Sequence, residues 1–199
     1  MNRKLKRSKT IIELNLLAKE IQDLKTDTKQ RRPLLIEFCG SPKSGKSTTI
    51  TSLNIFLKRS GFKTKILTER AGICPIKNKT HPFFNLWTLS SALSEIIELI
   101  ENDIKTVDII IADRGLFDAL CWFKWLSTNP SDNTPYLSIR EFEQISSFIL
   151  LERLLKYIDI VYAFKVEPET SIAREYSNLL TDVRGSIMNI DVLGSFNRS

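Results

Sequence analysis

The chain has 199 residues, enough for one domain with a sizeable core, and its apolar fraction of 42% is a little below the globular average. No apolar run approaches the ~20 residues of a membrane span, and the basic N-terminus lacks the apolar stretch of a secretory signal, so no membrane span is expected and a cytoplasmic location is. The net charge of +6 resides in residues 1–33, which hold ten Lys and Arg against four Asp and Glu, while the remainder is balanced at nineteen of each. The high pI therefore describes an arm, not a basic face on the core, and nucleic acid is not the expected partner. Three cysteines (Cys39, Cys74, Cys121), odd in number and without C-x-x-C spacing, indicate reduced thiols and neither a zinc site nor a disulfide frame.

Residues 1–9 (MNRKLKRSK) form a basic tail, expected to be mobile. From Thr10 to about Asp27 apolar residues at 11, 14, 17, 21 and 24 have helical spacing, with Lys and Glu filling the other face. This helix is expected to pack across the core or against a partner chain, either a second copy or another protein. Arg31, Arg32 and Pro33 break it before the first strand. The expected division is an arm and helix over 1–33, then a domain over 34–199.

Leu34 to Cys39 is a short apolar run of the kind that forms a buried parallel strand. It runs into Gly40-Ser41-Pro42-Lys43-Ser44-Gly45-Lys46-Ser47, which fits G-x-x-x-x-G-K-[ST] at every fixed position, followed by Thr48 and a helical pattern to about Arg59. Glycines let successive backbone N–H groups converge on a phosphate chain, and the helix aims its positive end at the same anion. Lys46 is expected to bridge the β- and γ-phosphates of ATP, and the Ser47 hydroxyl to hold Mg²⁺.

Lys63 to Thr68 is a second strand, ending in Glu69-Arg70-Ala71-Gly72. In parallel α/β sheets the loops beyond strand C-termini build the ligand site, which makes Glu69 and Arg70 site candidates. Residues 73–85 read as irregular, and His81, the only histidine, as a loop residue. Leu86 to about Asn102 has a strong helical pattern, and Val107 to Ala112 is a β-branched third strand ending in Asp113-Arg114-Gly115. An acid at that strand tip, downstream of a phosphate loop, is expected to hold Mg²⁺, and Arg114 to face phosphate oxygens.

Leu116 to about Leu126 is an aromatic-rich helix whose Phe117, Trp122, Phe123 and Trp125 are expected in the core. Residues 127–137 read as a loop. Ser138 and Glu141 form a capping box for a helix to about Tyr157 that turns Phe142, Ile145, Ile149 and Leu150 inward. Ile158 to Val166 is a fourth strand, Pro168 opens a further helix carrying Arg174, and Thr181 to Ser186, with Arg184, interrupts it. Strands alternating with helices give an α/β fold: three layers around a mainly parallel, helix-covered sheet.

The phosphate loop, the T-x-x-x-G turn at Thr68–Gly72, the Asp113-Arg114 pair and the V-x-P-E-like element from Val166 to Arg174 recur in this order. In these features the chain resembles the thymidylate kinase and deoxynucleoside kinase branch of P-loop nucleotide kinases, over about residues 34–188. The resemblance implies ATP–Mg²⁺ on the loop, Arg114 on phosphate during transfer, and Arg174 and Arg184 in a lid closing over ATP. It implies that Glu69 is the base for a sugar hydroxyl if the acceptor is a nucleoside. The turn Thr68-Glu69-Arg70-Ala71-Gly72 matches neither branch in full, so the acceptor is left open between a nucleoside and a nucleoside monophosphate. The resemblance implies a further βα unit of roughly 30 residues after the lid; the expectation is that the chain is a fragment, or that the N-terminal helix or a partner fills that edge. The expected function is ATP- and Mg²⁺-dependent phosphoryl transfer, with Lys46, Glu69, Arg114 and Arg174 as the catalytic set. The rival readings are a P-loop NTPase switch and a kinase of a larger acceptor, a nucleic-acid end or a protein.

Overall fold

The computed structural model describes residues 2–27, 32–102, 106–131, 134–178 and 187–199. In chain order the elements are α1 (Asn2–Asp27), β1 (Leu34–Gly40), α2 (Lys46–Arg59), β2 (Thr64–Leu67), α3 (Pro82–Asn102), β3 (Ile109–Asp113), α4 (Leu116–Thr128), β4 (Pro130–Ser131), β5 (Thr134–Pro135), α5 (Ile139–Ile149), α6 (Glu152–Leu155), β6 (Ile160–Phe164), α7 (Pro168–Asn178) and α8 (Ile190–Phe196). Four strands make one sheet in the order β2-β3-β1-β6, every pair parallel. Parallel neighbours need crossover connections, and these connections lay helices on both faces.

Strand periodicity sorts the core into two halves. Ile36, Phe38, Ile109 and Ile111 point to the face covered by α2, where Ile50, Leu57 and Phe62 meet them. Leu35, Ile110 and Ala112 point the other way, into a larger core built mainly by α3 and α4, with Ile149 of α5, Leu154 of α6 and Phe196 of α8. Trp122, Phe123 and Trp125 lie in that core as expected, whereas Phe117 is only partly buried and outside it. The expected α/β class, with helices on both faces of a parallel sheet, is thus the observed one.

Several local expectations are corrected. α1 starts at Asn2, so residues 2–9 continue the helix and are not a separate tail. It does not cross the core: Ala18 is buried and the Gln22 side-chain amide donates to the Ser60 carbonyl, but Ile11, Ile12, Leu14, Leu16, Leu17 and Ile21 are 44–58% exposed. Its apolar residues are spread around the helix, so no single face can bury them all. α3 begins four residues early, at Pro82, because His81 Nδ1 accepts the Phe83 N–H (3.1 Å) and caps it, with Pro at the first position. Residues 127–137 include the two-residue antiparallel pair β4 and β5. The capping box at Ser138 and Glu141 is present, but α5 stops at Ile149 instead of running to Tyr157. Leu151 is extended, and the short α6 follows it. That break turns Leu150 outward, 45% exposed, while Ile149 is fully buried.

α3 is long and apolar enough to cross a membrane by length and composition, but Phe84, Leu89, Ile96, Leu99 and Ile100 are buried in the core. β2 and β6 are the edge strands of this sheet among the described residues. The lid segment expected at 181–186, with Arg184, lies outside the described residues.

Candidate active site

The loop between β1 and α2 is fixed by two glycines. Gly40 has φ 117°, and a Cβ there would lie 2.0 Å from the Phe164 carbonyl oxygen of β6. Gly45 has φ 101°, with open space where a Cβ would point. Lys43 adopts φ 55° between them. Gly45 is also the N-cap of α2 and supplies no side-chain cap, and the first turn carries no acid. The helix therefore presents uncapped N–H groups and its positive end to the loop. Ser41 and Pro42 are buried, Ser47 and Thr48 exposed, and the Ser44 Oγ is buried without a hydrogen-bond partner among the described residues.

Lys46 is buried and folds its ammonium back onto the loop, donating to the Gly40 (2.9 Å) and Ser41 (2.7 Å) carbonyls. Burial, then repulsion from Arg114, brings its pKa down to about 8. The Ser47 hydroxyl donates to Asp113 Oδ2 at 2.9 Å, joining α2 to the tip of β3. The other oxygen, Asp113 Oδ1, is buried and has no partner among the described residues. Burial raises the Asp113 pKa, partly offset by the Ser47 hydroxyl.

Arg114 follows with φ 71°, a strained conformation for a residue with a side chain. Its Nε forms an ion pair with Glu69 Oε1 at 2.9 Å, and Nη1 donates to Asp118 Oδ2 at 2.7 Å. Burial works against its charge, but Asp118 and Glu69 more than offset that and hold its pKa above the usual arginine value. The second oxygen of Asp118, Oδ1, accepts the Gly40 N–H at 2.9 Å. The Asp118 N–H donates to Glu37 Oε1, also at 2.9 Å. Glu37 is 1% exposed on β1 and caps the amides of the first turn of α4 from across the fold. Burial raises its pKa to about 7 despite those amides.

A cavity opens beside this cluster, between the end of β2, α3 and α4, with a volume of about 70 Å³. Glu69, Asp113 and Arg114 line its end near the phosphate loop. Phe84, Leu89 and Trp122 give it apolar walls. Asn85, 5% exposed, has a buried Nδ2 without a partner among the described residues. Arg70 also lines the cavity and is ion-paired with Glu95 of α3.

α7 closes on the loop from the other side. Ser171 Oγ donates to the Pro42 carbonyl (2.8 Å), Arg174 Nη1 to the Lys43 carbonyl (2.9 Å), and Lys43 pairs with Glu175 (2.6 Å). Past the segment that holds Arg184, α8 brings Asn197 back to the loop. Its Oδ1 accepts from Ser41 Oγ (2.5 Å) and its Nδ2 donates to the Val166 carbonyl (2.9 Å).

The structure thus brings together Gly40 to Thr48, Glu69, Asp113, Arg114 and Arg174. Glu37, Asn85, Asp118 and Asn197 were not singled out from sequence. For two of them a signal existed: Glu37 is an acid inside an apolar strand, and Asp118 stands four residues after Arg114 on a helix. Asn85 and Asn197 carry no local signal.

No protein-family model matches the chain, and no curated protein matches it by sequence. Its structure is similar to that of deoxyadenosine kinase from M. mycoides with bound dATP, at TM-score 0.55 and 18% identity, covering 83% of this chain and 82% of that one. The same kinase with products dCMP and a flexible dCDP bound is similar at TM-score 0.56 and 19% identity, covering 83% and 80%. The chain therefore shares the α/β fold of that deoxyadenosine kinase.

Proposed function

We propose that the chain is a phosphotransferase that moves the γ-phosphoryl group of ATP to a hydroxyl of a nucleoside-class acceptor. The observation that carries this reading is the continuity of the phosphate loop with the cavity: Asp113 and Arg114 belong to both, and Glu69 stands at the junction. Both arginines of the cavity are already matched by carboxylates, Arg70 by Glu95 and Arg114 by Glu69 and Asp118. A phosphate on the acceptor would have to compete with those acids; a hydroxyl needs only a group to take its proton. Aromatic walls at Phe84 and Trp122, with the unpartnered Asn85 amide, suit a flat ring bearing a hydrogen-bond acceptor.

In this reading the acceptor oxygen forms a bond to the γ-phosphorus as the bond from that phosphorus to the β,γ-bridging oxygen breaks. The hydroxyl proton passes to Glu69, and ADP leaves. Lys46 exchanges its loop carbonyls for phosphate oxygens. Arg174, held over Lys43, supplies charge from the lid side. Ser47 and Asp113, whose Oδ1 has no partner among the described residues, would hold a Mg²⁺ ion, which would supply positive charge against the triphosphate.

The test is transfer from γ-labelled ATP to a panel of nucleosides and nucleoside monophosphates, with a control lacking acceptor. Labelled nucleoside monophosphate is the expected product. Phosphate release independent of acceptor would replace this reading with an NTPase switch, and labelled diphosphate would move the acceptor to a monophosphate.

A further inference from the structure

One buried carboxylate touches both halves of the site. Asp118, 3% exposed, uses Oδ1 to accept the Gly40 N–H and Oδ2 to accept from Arg114 Nη1. Gly40 opens the phosphate loop, and Arg114 faces the cavity. The carboxylate is itself fixed: its residue sits in the first turn of α4, with its N–H held by Glu37 from the strand that ends in Gly40. Gly115 lets the Glu37 carboxyl approach, since a Cβ on it would lie 2.9 Å from that carboxyl. The loop, β1 and the start of α4 thus form a closed ring of hydrogen bonds, and the arginine hangs on it.

We propose that Asp118 is a positioning residue that sets Arg114 in register with the phosphate loop, so that donor and acceptor sides are aligned through one carboxylate. Arg114 has a second acid partner in Glu69, but Glu69 is 41% exposed at its side chain and Asp118 only 4%. When the acceptor engages Glu69, Asp118 is the partner that keeps the guanidinium in place. Two charge-assisted bonds from one buried anion constrain direction as well as distance, and a misplacement of about 1 Å is enough to cost on the order of 10²-fold in rate.

The proposal rests on the phosphotransferase reading for its kinetic consequence and on geometry alone for the tie itself, and the experiment separates the two. Asp118→Asn keeps an acceptor for the Gly40 amide but sets an amide N–H₂ against Arg114. In the full chain it is expected to lower kcat about 30- to 100-fold while the KM for ATP stays within threefold. In an Arg114→Ala background the same change is expected to lower kcat less than threefold further. Equal losses in both backgrounds, or a kcat within threefold of wild type in the single variant, would overturn the proposal.

If wild-type protein transfers no phosphate to any acceptor, the function reading fails and the tie is still tested. In ¹⁵N-labelled protein, Asp118→Ala is expected to speed hydrogen exchange of the Gly40 amide at least tenfold, and Asp118→Asn to change it less than threefold. An unmoved Gly40 amide in Asp118→Ala overturns the tie. Should Asp118→Asn not fold, Arg114→Met/Asp118→Asn removes the buried charge together with its partner and is expected to fold. Failure of that variant as well would make Asp118 a purely structural residue.

Discussion

Replacing Gly40 and Gly45 one at a time by alanine separates two reasons for a glycine in the same loop. Both have positive φ, 117° and 101°, and a side chain in such a conformation costs about 1–3 kcal/mol in either place. Space distinguishes them. At Gly45 a Cβ meets nothing within 4 Å. At Gly40 it lies 2.0 Å from the Phe164 carbonyl oxygen and 2.9 Å from the Phe164 nitrogen and carbonyl carbon, all backbone of the neighbouring strand. Backbone cannot swing aside as a side chain can, so β1 and β6 must part locally. That overpacking adds about 1–3 kcal/mol. The Ser41 N–H to Phe164 carbonyl bond, 2.9 Å, is strained as well, worth about 1 kcal/mol. Gly40→Ala is therefore expected to lose about 3–7 kcal/mol, a large share of the 5–15 kcal/mol that holds a typical domain. Gly45→Ala is expected to lose about 1–3 kcal/mol and, because its Cβ points into the open cradle, at least tenfold in ATP affinity. Equilibrium urea unfolding of both variants with equal m-values, beside ATP titration, measures the difference. Equal stability losses for the two would refute the steric argument.

Other consequences follow from charge. Glu37 has a folded pKa of about 7 against an ordinary value of 4.5. Its contribution is fully present below the lower value and is lost as pH rises through the upper one, amounting to about 3 kcal/mol. Glu37→Gln, which can still accept the Asp118 N–H, is expected to flatten that fall and to be the more stable protein at pH 8 in urea melts; a variant less stable at pH 8 would contradict it. Lys46 is shifted the other way, to about 8 from 10.5, so the unliganded protein gains stability as pH rises from 8 to 10.5. Nucleotide phosphates should return its proton, so ATP binding near pH 8.5 is expected to take up protons. Titration calorimetry in buffers of different ionisation enthalpy reads this, and Lys46→Met should abolish the uptake together with at least 10²-fold of transfer. Glu69→Gln should lower kcat by about 10²–10⁴-fold with ATP affinity unchanged, as for loss of a proton acceptor. A loss under fivefold would point away from a hydroxyl acceptor.

What could be read before the structure was whatever depends on neighbours in sequence. The strand–loop–helix at Leu34–Arg59 is legible because its glycines, Lys46 and Ser47 act within one turn of chain. The Ser138–Glu141 box is legible for the same reason, as is the β-branched run that ends in Asp113. The Glu69–Arg114 ion pair was half visible, as two strand-end residues of a parallel sheet. Partnerships across the fold were not. The cap on α4 comes from Glu37, 81 positions before Asp118, and Asn197 reaches Ser41 across 156. Helical spacing beyond Ile149 continues through Leu150 and Leu155, and only the extended backbone at Leu151 breaks it. For α1, spacing predicted a helix correctly but not its surroundings, because Ile12 and Leu16 add apolar residues outside the stripe at 11, 14, 17 and 21, and a stripe alone does not say what covers it.

The uncovered flank of β6 bears on how this protein behaves in a tube. Ile160, Val161 and Tyr162 are 37–48% exposed on a strand that, among the described residues, is paired only with β1. Such a rim offers unmatched amides and carbonyls beside sticky side chains, and none of the five residues from Ile160 to Phe164 is a proline or a charge that would deter another strand. The positive charge that keeps copies apart is carried by residues 1–33, outside this sheet. Association at high concentration is expected to involve this strand, beside the exposed apolar residues of α1, more than the molecule's average polarity would suggest.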